Sequence, residues 1–335
     1  MSEPMIDYDL FYPTNKIGKY TIESEIKTST RNKIYKVYIP PNQKEYFAIK
    51  ILPYQTQEEI NNYAKEKTIL DQILDENMAL FPIDNMTFTS SKQIINEEGE
   101  IIECNVTFMC IVMNFFDYLD LGNYFFELQN ESQNKTPLTP EQIAVIFDKS
   151  LKILHHLHSK GIIHHDIKPG NFLIRSISPF DILLTDFELT FQLKESKDIL
   201  TLCGTPKFIA PEILNEKPHN TSADIWSLGI MIYYLVMGKY PFRISEFDND
   251  LMIILKKIEK NKDNLIFNIN IPIEMQNILK RMLTFDPQER ISANEALNHP
   301  YFIKYYNTEE KLKPIITKGT KLELEYSDAM KLENK

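Results

Sequence analysis

The stretch HSKGIIHHDIKPGNFLI, residues 158–174, decides how this chain folds. Gly161 reads as a helix stop, because glycine alone enters the left-handed conformation without strain. The apolar pair Ile162, Ile163 follows as a short strand. Then come His164, His165, Asp166, Lys168 and Asn171, which put a carboxylate, an ammonium and an amide on one short loop. Just upstream, Thr139-Pro140-Glu141-Gln142 predicts the start of the helix that runs into this stretch. Thr139 caps, Pro140 suits the first helical position, and Gln142 completes a capping box. Ile143, Ile146, Phe147, Leu154 and Leu157 then fall on one face.

The chain has 335 residues, 43% hydrophobic and 25% charged. That suits a large two-lobed unit with its own core, and it argues against disorder, collagen or coiled coil. The net charge of −10 argues against general binding to nucleic acid or to an anionic membrane. The longest apolar run, 225–237, is short for a membrane span. The N-terminus MSEPMIDYDL has neither a basic region nor an apolar core, so no signal peptide is expected. Ser2 offers no myristoylation site. Cys104, Cys110 and Cys203 form no CxxC, which suits a reducing compartment, cytoplasmic or nuclear; pairing of Cys104 with Cys110 depends on strand geometry.

Residues 20–50 read as strands, with IYKVYI (34–39) and EYFAIKIL (45–52) flanking a PPNQ turn (40–43). Residues 58–74 switch to helical spacing through Ile60, Tyr63, Lys67 and Leu70. Strands return over 86–95 and 101–113 around NEEGE, a hairpin. Helices are expected at 222–237, 250–260, 272–283 and 292–297. Residues 303–335 read as a charged tail with one strand-like piece, KLELEY (321–326).

The quoted loop resembles the catalytic H-R-D-x-K-x-x-N loop of eukaryotic protein kinases. Other segments resemble the same family's motifs in the same order: FAIK (47–50), KEKTIL with Glu66, TDFE (185–188), GTPKFIAPE (204–212), DIWSLGIMIYYLVMGKYPF (224–242) and DPQERIS with Arg290. The resemblance spans roughly 20–302 and implies an α+β, two-lobed fold. A small antiparallel sheet with one main helix (20–114) would join, through a hinge (115–119), a mostly helical lobe (120–302). Residues 1–19 would be an extension.

The same resemblance implies roles. Lys50 would hold the ATP phosphates, and Glu66 would hold Lys50. Asp186 and Asn171 would bind Mg²⁺ through oxygen, the ligand type hard cations prefer. Asp166 would orient the acceptor hydroxyl and take its proton, while Lys168 would neutralise the moving phosphoryl group. Ile26, Ile34, Ala48, Met113, Phe115, Phe116 and Leu173 would surround adenine, and Asp120 would reach ribose. KPGN and Thr205 point to serine or threonine acceptors on proteins.

The departures are specific. No glycine lies between Gly18 and Gly99, so Lys27, Ser29 and Asn32 stand at the places of the glycine-rich loop. Lys27, Arg31 and Lys33 are expected either to put cations over the phosphates or to form a solvated turn. Glu188 replaces the glycine of D-F-G. Facing the triphosphate at ~7 Å it would cost roughly 2–3 kcal/mol per charge pair, so it should turn away or meet a basic neighbour. His165 replaces an arginine that grips a phosphate, so phosphate on Thr201 should matter less than usual. Five of the seven histidines lie within 155–165, but without a spaced third ligand. His164 is expected to pack under Phe187, and Glu212–Arg290 to form a structural ion pair. Two rival readings stand beside the kinase: a pseudokinase scaffold, and a kinase acting on a non-protein substrate.

Overall fold

The computed structural model describes residues 11–302, apart from 29–31, 74, 76, 96–100, 118–119, 133–135 and 194–198. The expected KLELEY strand, the NEEGE turn, Ser29 and Arg31 therefore lie outside the described residues.

The N-terminal lobe is a six-stranded antiparallel sheet. Its strands are β1 (Lys16–Ile17), β2 (Tyr20–Thr28), β3 (Lys33–Ile39), β4 (Asn42–Pro53), β5 (Pro82–Ile95) and β6 (Ile101–Asn114), ordered β1-β2-β3-β4-β6-β5. Helix α1 (Gln57–Ile73) connects β4 to β5. The turn before β4 is shorter than expected: Ile39 pairs with Asn42, so only Pro40 and Pro41 form it. Proline cannot donate to a ladder, so both prolines take the loop positions while Asn42 and Gln43 join the strand.

One sheet face is apolar. Val37, Ile49, Ile51, Phe108, Cys110 and Val112 are buried there, together with Phe11, Tyr12 and Ile17. The lobe's core thus reaches back before residue 20, because three large side chains of the expected extension cover the sheet and leave water. Side chains alternate along a strand, so Ala48 and Lys50 project from the opposite face of β4. Cys104 and Cys110 lie six residues apart on β6, opposite Lys92 and Met86. At ~3.3 Å per residue they are far beyond disulfide reach, and both are free thiols.

The C-terminal lobe comprises helices α2 (Leu121–Ser132), α3 (Pro140–Ser159), α4 (Pro211–Leu214), α5 (Ser222–Met237), α6 (Leu251–Asn261), α7 (Ile273–Met282) and α8 (Ala293–Leu297). Two small antiparallel ladders accompany them: β7 (Ile162–Ile163) with β10 (Phe191–Gln192), and β8 (Phe172–Ile177) with β9 (Phe180–Leu184). The Thr139 capping box forms as read. Helix α5 is apolar nearly all round, and so it is buried through the middle of this lobe. Ile69, Leu70 and Ile73 of α1 belong to the same core. The end of α1 is therefore packed into the helical lobe, which fixes the height of Glu66 above it.

Candidate active site

The site forms where the two lobes meet. Asn171 immediately precedes β8, and Asp186 is the second residue after β9. The hairpin brings these ends together: the Thr185 amide and hydroxyl both donate to the Asn171 carbonyl, at 2.9 and 3.1 Å. A hydrogen-bonded strand pair thus delivers two residues from separate motifs to one place.

Asp166 is buried and surrounded by donors. Lys168 Nζ donates to Oδ2 at 2.7 Å, and Asn171 Nδ2 donates to the same oxygen at 2.9 Å. Thr205 donates to Oδ1 from its amide at 3.1 Å and from its hydroxyl at 2.6 Å. Lys168 also bonds Thr205 Oγ1 at 2.7 Å. Burial alone would raise the Asp166 carboxyl. The bonds from Lys168 and Thr205, the Lys168 charge and the Asn171 amide outweigh it and hold the group below its ordinary value. Asp166 is therefore an ionised acceptor already engaged with an alcohol.

The loop 164–171 is fixed by Asp224 of α5. Its Oδ1 accepts from the His165 amide at 2.9 Å. Its Oδ2 accepts from the His164 amide at 2.9 Å and faces His158 Nε2 at 3.0 Å. Burial would raise this carboxyl, but the His158 bond and the neighbouring imidazoles bring it to about 2. His164 meets Phe187 edge to face at 5.1 Å, as expected. His165 and Asp186 both have positive φ, 68° and 65°, a conformation that non-glycine residues hold at some cost and that gathers at functional sites.

Lys50 lies 3.8 Å from both Glu66 and Asp186. Burial works against its ammonium, but the charges of Glu66, Asp186 and Glu188 outweigh this and raise its pKa. Burial also raises Glu66 against the pull of Lys50, helped by Asp186 and Glu188. Glu66, Asp186 and Glu188 all act on the one Lys50 ammonium, which leaves surplus negative charge around it. That surplus fits a divalent cation on Asp186 and on the Asn171 amide oxygen, whose amide nitrogen is committed to Asp166. Mg²⁺ is commonly held by few protein oxygens, with phosphate and water completing its shell. Glu188 is exposed and acts on its basic neighbour Lys50 through its charge. It does not have positive φ, so this conformation does not use the freedom of the glycine it replaces.

Across the sheet, Ala48 pairs with Met113, and Lys50 pairs with Ile34 and Ile111. Opposed residues share a face, so Ile34, Ala48 and Met113 stand with Lys50 on the side turned from the sheet core. Leu173 points away from its buried neighbours Phe172 and Ile174 and bridges Asp120. Asp120 caps α2, accepting from the Gly122 and Asn123 amides at 3.0 Å each. Phe115 and Phe116 follow β6, half-buried, and Phe115 packs edge-on against Tyr46. Ile26 stands apart: it is the extra residue of a bulge in β2 and is 47% exposed. The bulge places Lys27 opposite Ile34, in the row that contains Lys50.

Four contributors escape the sequence reading. Asp224 was seen only as the start of an apolar helix. His219 had no motif around it. Gln72 and Gln192, which exchange amide hydrogen bonds at 3.1 and 2.6 Å between α1 and β10, are 120 residues apart. Only the GTP motif pointed to Thr205, and it gave no hint of the bond to Asp166.

The sequence profile of the Protein kinase domain family matches residues 23–302. The chain is 27% identical over 296 residues to the serine/threonine-protein kinase max-2 of Caenorhabditis elegans, covering 88% of this chain and 41% of that protein. It is 39% identical over 184 residues to the serine/threonine-protein kinase H1 homolog of Danio rerio, covering 53% and 42%. It is 34% identical over 181 residues to the serine/threonine-protein kinase GIN4 of Saccharomyces cerevisiae, covering 53% and 15%. The chain spans less than half the length of each of these relatives. By this match the chain belongs to the protein kinase domain family, within the serine/threonine type of the eukaryotic protein kinase superfamily.

Proposed function

We propose that the chain is a protein serine/threonine kinase that transfers the γ-phosphoryl group of ATP to protein hydroxyls with Mg²⁺. The observation that carries this reading is the buried Asp166, bonded at once to Lys168, Asn171 and the Thr205 hydroxyl. A scaffold has no physical need for an ionised carboxylate and an ammonium held around an alcohol.

Lys50, braced by Glu66, holds the nucleotide phosphates. Ile34, Ala48, Met113 and Leu173 supply apolar surface for the base, with Phe115 and Phe116 at the hinge, Ile26 at the roof and Asp120 toward the ribose. Asp166 orients the acceptor hydroxyl and takes its proton. Lys168 offsets charge on the phosphoryl group as it moves. Asp186 and Asn171 would hold Mg²⁺, which would supply positive charge against the phosphates. Phosphoryl transfer asks mainly for such positioning and neutralisation. Three free thiols fit a reducing compartment, which we propose is the cytoplasm. No helix among the described residues is long and apolar enough to cross a membrane.

Glu188 and the absent glycines favour the pseudokinase as the second reading. Labelled ATP with Mg²⁺ and a generic protein substrate separates the two. Turnover above that of Asp166→Asn supports the kinase; ATP-dependent thermal stabilisation without turnover supports the scaffold.

A further inference from the structure

His219 belongs to neither the catalytic loop nor the nucleotide site, yet it is 2% exposed. Its Nε2 lies 2.9 Å from Nε2 of His165. His165 Nδ1 lies 3.0 Å from the Leu189 carbonyl, which only accepts, so that nitrogen carries the proton. The neutral His165 ring then offers Nε2 as an acceptor, and His219 Nε2–H donates to it. The other His219 nitrogen is only 3.4 Å from the Lys217 carbonyl, a weaker competitor for the proton.

The backbone of His219 is tied as well. Its amide and carbonyl exchange hydrogen bonds with Ile199, at 3.0 and 2.9 Å. Gly204, at φ 107°, sits so close to His165 that an added Cβ would lie 2.7 Å from the His165 carbonyl. Phe191 packs edge-on against the His165 ring and lies under Lys65 of α1. The segment between the nucleotide site and Thr205 is thus tied to the two imidazoles and their backbone at Leu189, Phe191, Ile199 and Gly204, while Phe191 also pairs with Ile163 and meets the Lys65 ammonium. The His165 and His219 contacts to this segment are made without a phosphate, and burial favours the neutral form of His165.

We infer that His219 is a positioning residue, whose hydrogen bond to His165 clamps the segment from Leu189 to Gly204 onto the catalytic loop without a phosphate on Thr201. The inference rests on the kinase reading for its activity readout, but the bridge itself is observable without catalysis. Long-range ¹H–¹⁵N spectra of the imidazoles provide that second view. They should show the His165 resonances shifting when His219 is replaced.

The test compares phosphatase-treated wild type with Thr201→Ala, His219→Phe and His219→Gln. Thr201→Ala should stay within about twofold of wild type. His219→Phe, which keeps the ring but removes its N–H, should lower kcat about ten- to a hundredfold with KM for ATP nearly unchanged. His219→Gln, which restores a donor, should recover most of the loss. Wild-type rates in His219→Phe, or loss of activity in Thr201→Ala, would overturn the inference. If the wild type transfers no phosphate, the kinase reading fails and the spectra decide alone: His165 resonances indifferent to His219 would sink the bridge, and a shift would sustain it.

Discussion

The loop 164–171 and strand β2, which the proposed reading makes the catalytic loop and the roof of the nucleotide site, are built in opposite ways. In the loop, Asp166 accepts four hydrogen bonds from side chains and one amide, and Asp224 holds the backbone from below. In the roof, Ile26 and Lys27 are exposed, and β2 is bulged twice against β3. On the proposed kinase reading the loop carries the residues that handle the proton and the phosphoryl group, whereas Lys27, Ser29 and Asn32 stand at the glycine places of the roof. The contrast follows from what each part must do. Proton transfer tolerates little displacement, so its groups are buried and cross-linked. Holding a polyanion needs charge nearby, and several arrangements of cations provide it.

Four substitutions test that contrast. The largest effect belongs to the loop: Asp166→Asn should lower phosphotransfer about a hundred- to ten-thousandfold, with melting temperature little changed. A loss below tenfold would break the contrast. Next is the buried ion pair of the helical lobe. Arg290 binds Glu212 through two nitrogens, at 2.6 and 2.9 Å, in a buried setting. Glu212→Ala should destabilise the protein by about 3–5 kcal/mol, read by thermal denaturation; near-wild-type stability would argue that water reaches the stranded arginine. Smaller still is Glu188→Gly. Its exposed charge is screened, so ATP affinity should rise no more than about fivefold, mostly at low salt. Calorimetry showing weaker binding would mean that Glu188 helps hold the cation. The smallest is Lys27→Glu, for which a loss of about twofold in ATP affinity is expected, vanishing at high salt. A tenfold loss would show that the roof has replaced its glycines with a working cation.

Local elements were legible in the chain. Thr139-Pro140-Glu141-Gln142 forms the capping box it spells, because all its partners lie within three residues. The strand-like run 101–113 forms the strand it implies, and the loop 164–171 holds Lys168 and Asn171 within hydrogen-bond reach of Asp166. The turn at Pro40–Pro41 was read too long, since ladder pairing of Asn42 depends on Ile39 across the turn. Phe11 and Tyr12 were assigned to an extension, since nothing local reveals that a distant sheet face lacks a cover. The place of Lys27 turned on a bulge, and a one-residue shift reverses which face a side chain takes.

The order of residues by itself determined which chemistry is present: a carboxylate, two lysines, an amide and a second carboxylate, each in a segment whose local form is set by near neighbours. Tertiary structure alone decided what those groups feel. The charge of Asp186 beside Lys50, the Thr205 bonds to Asp166 and the meeting of His165 with His219 all join residues tens of positions apart. Burial and Coulomb energy depend on distance in space, and only the folded chain sets that distance.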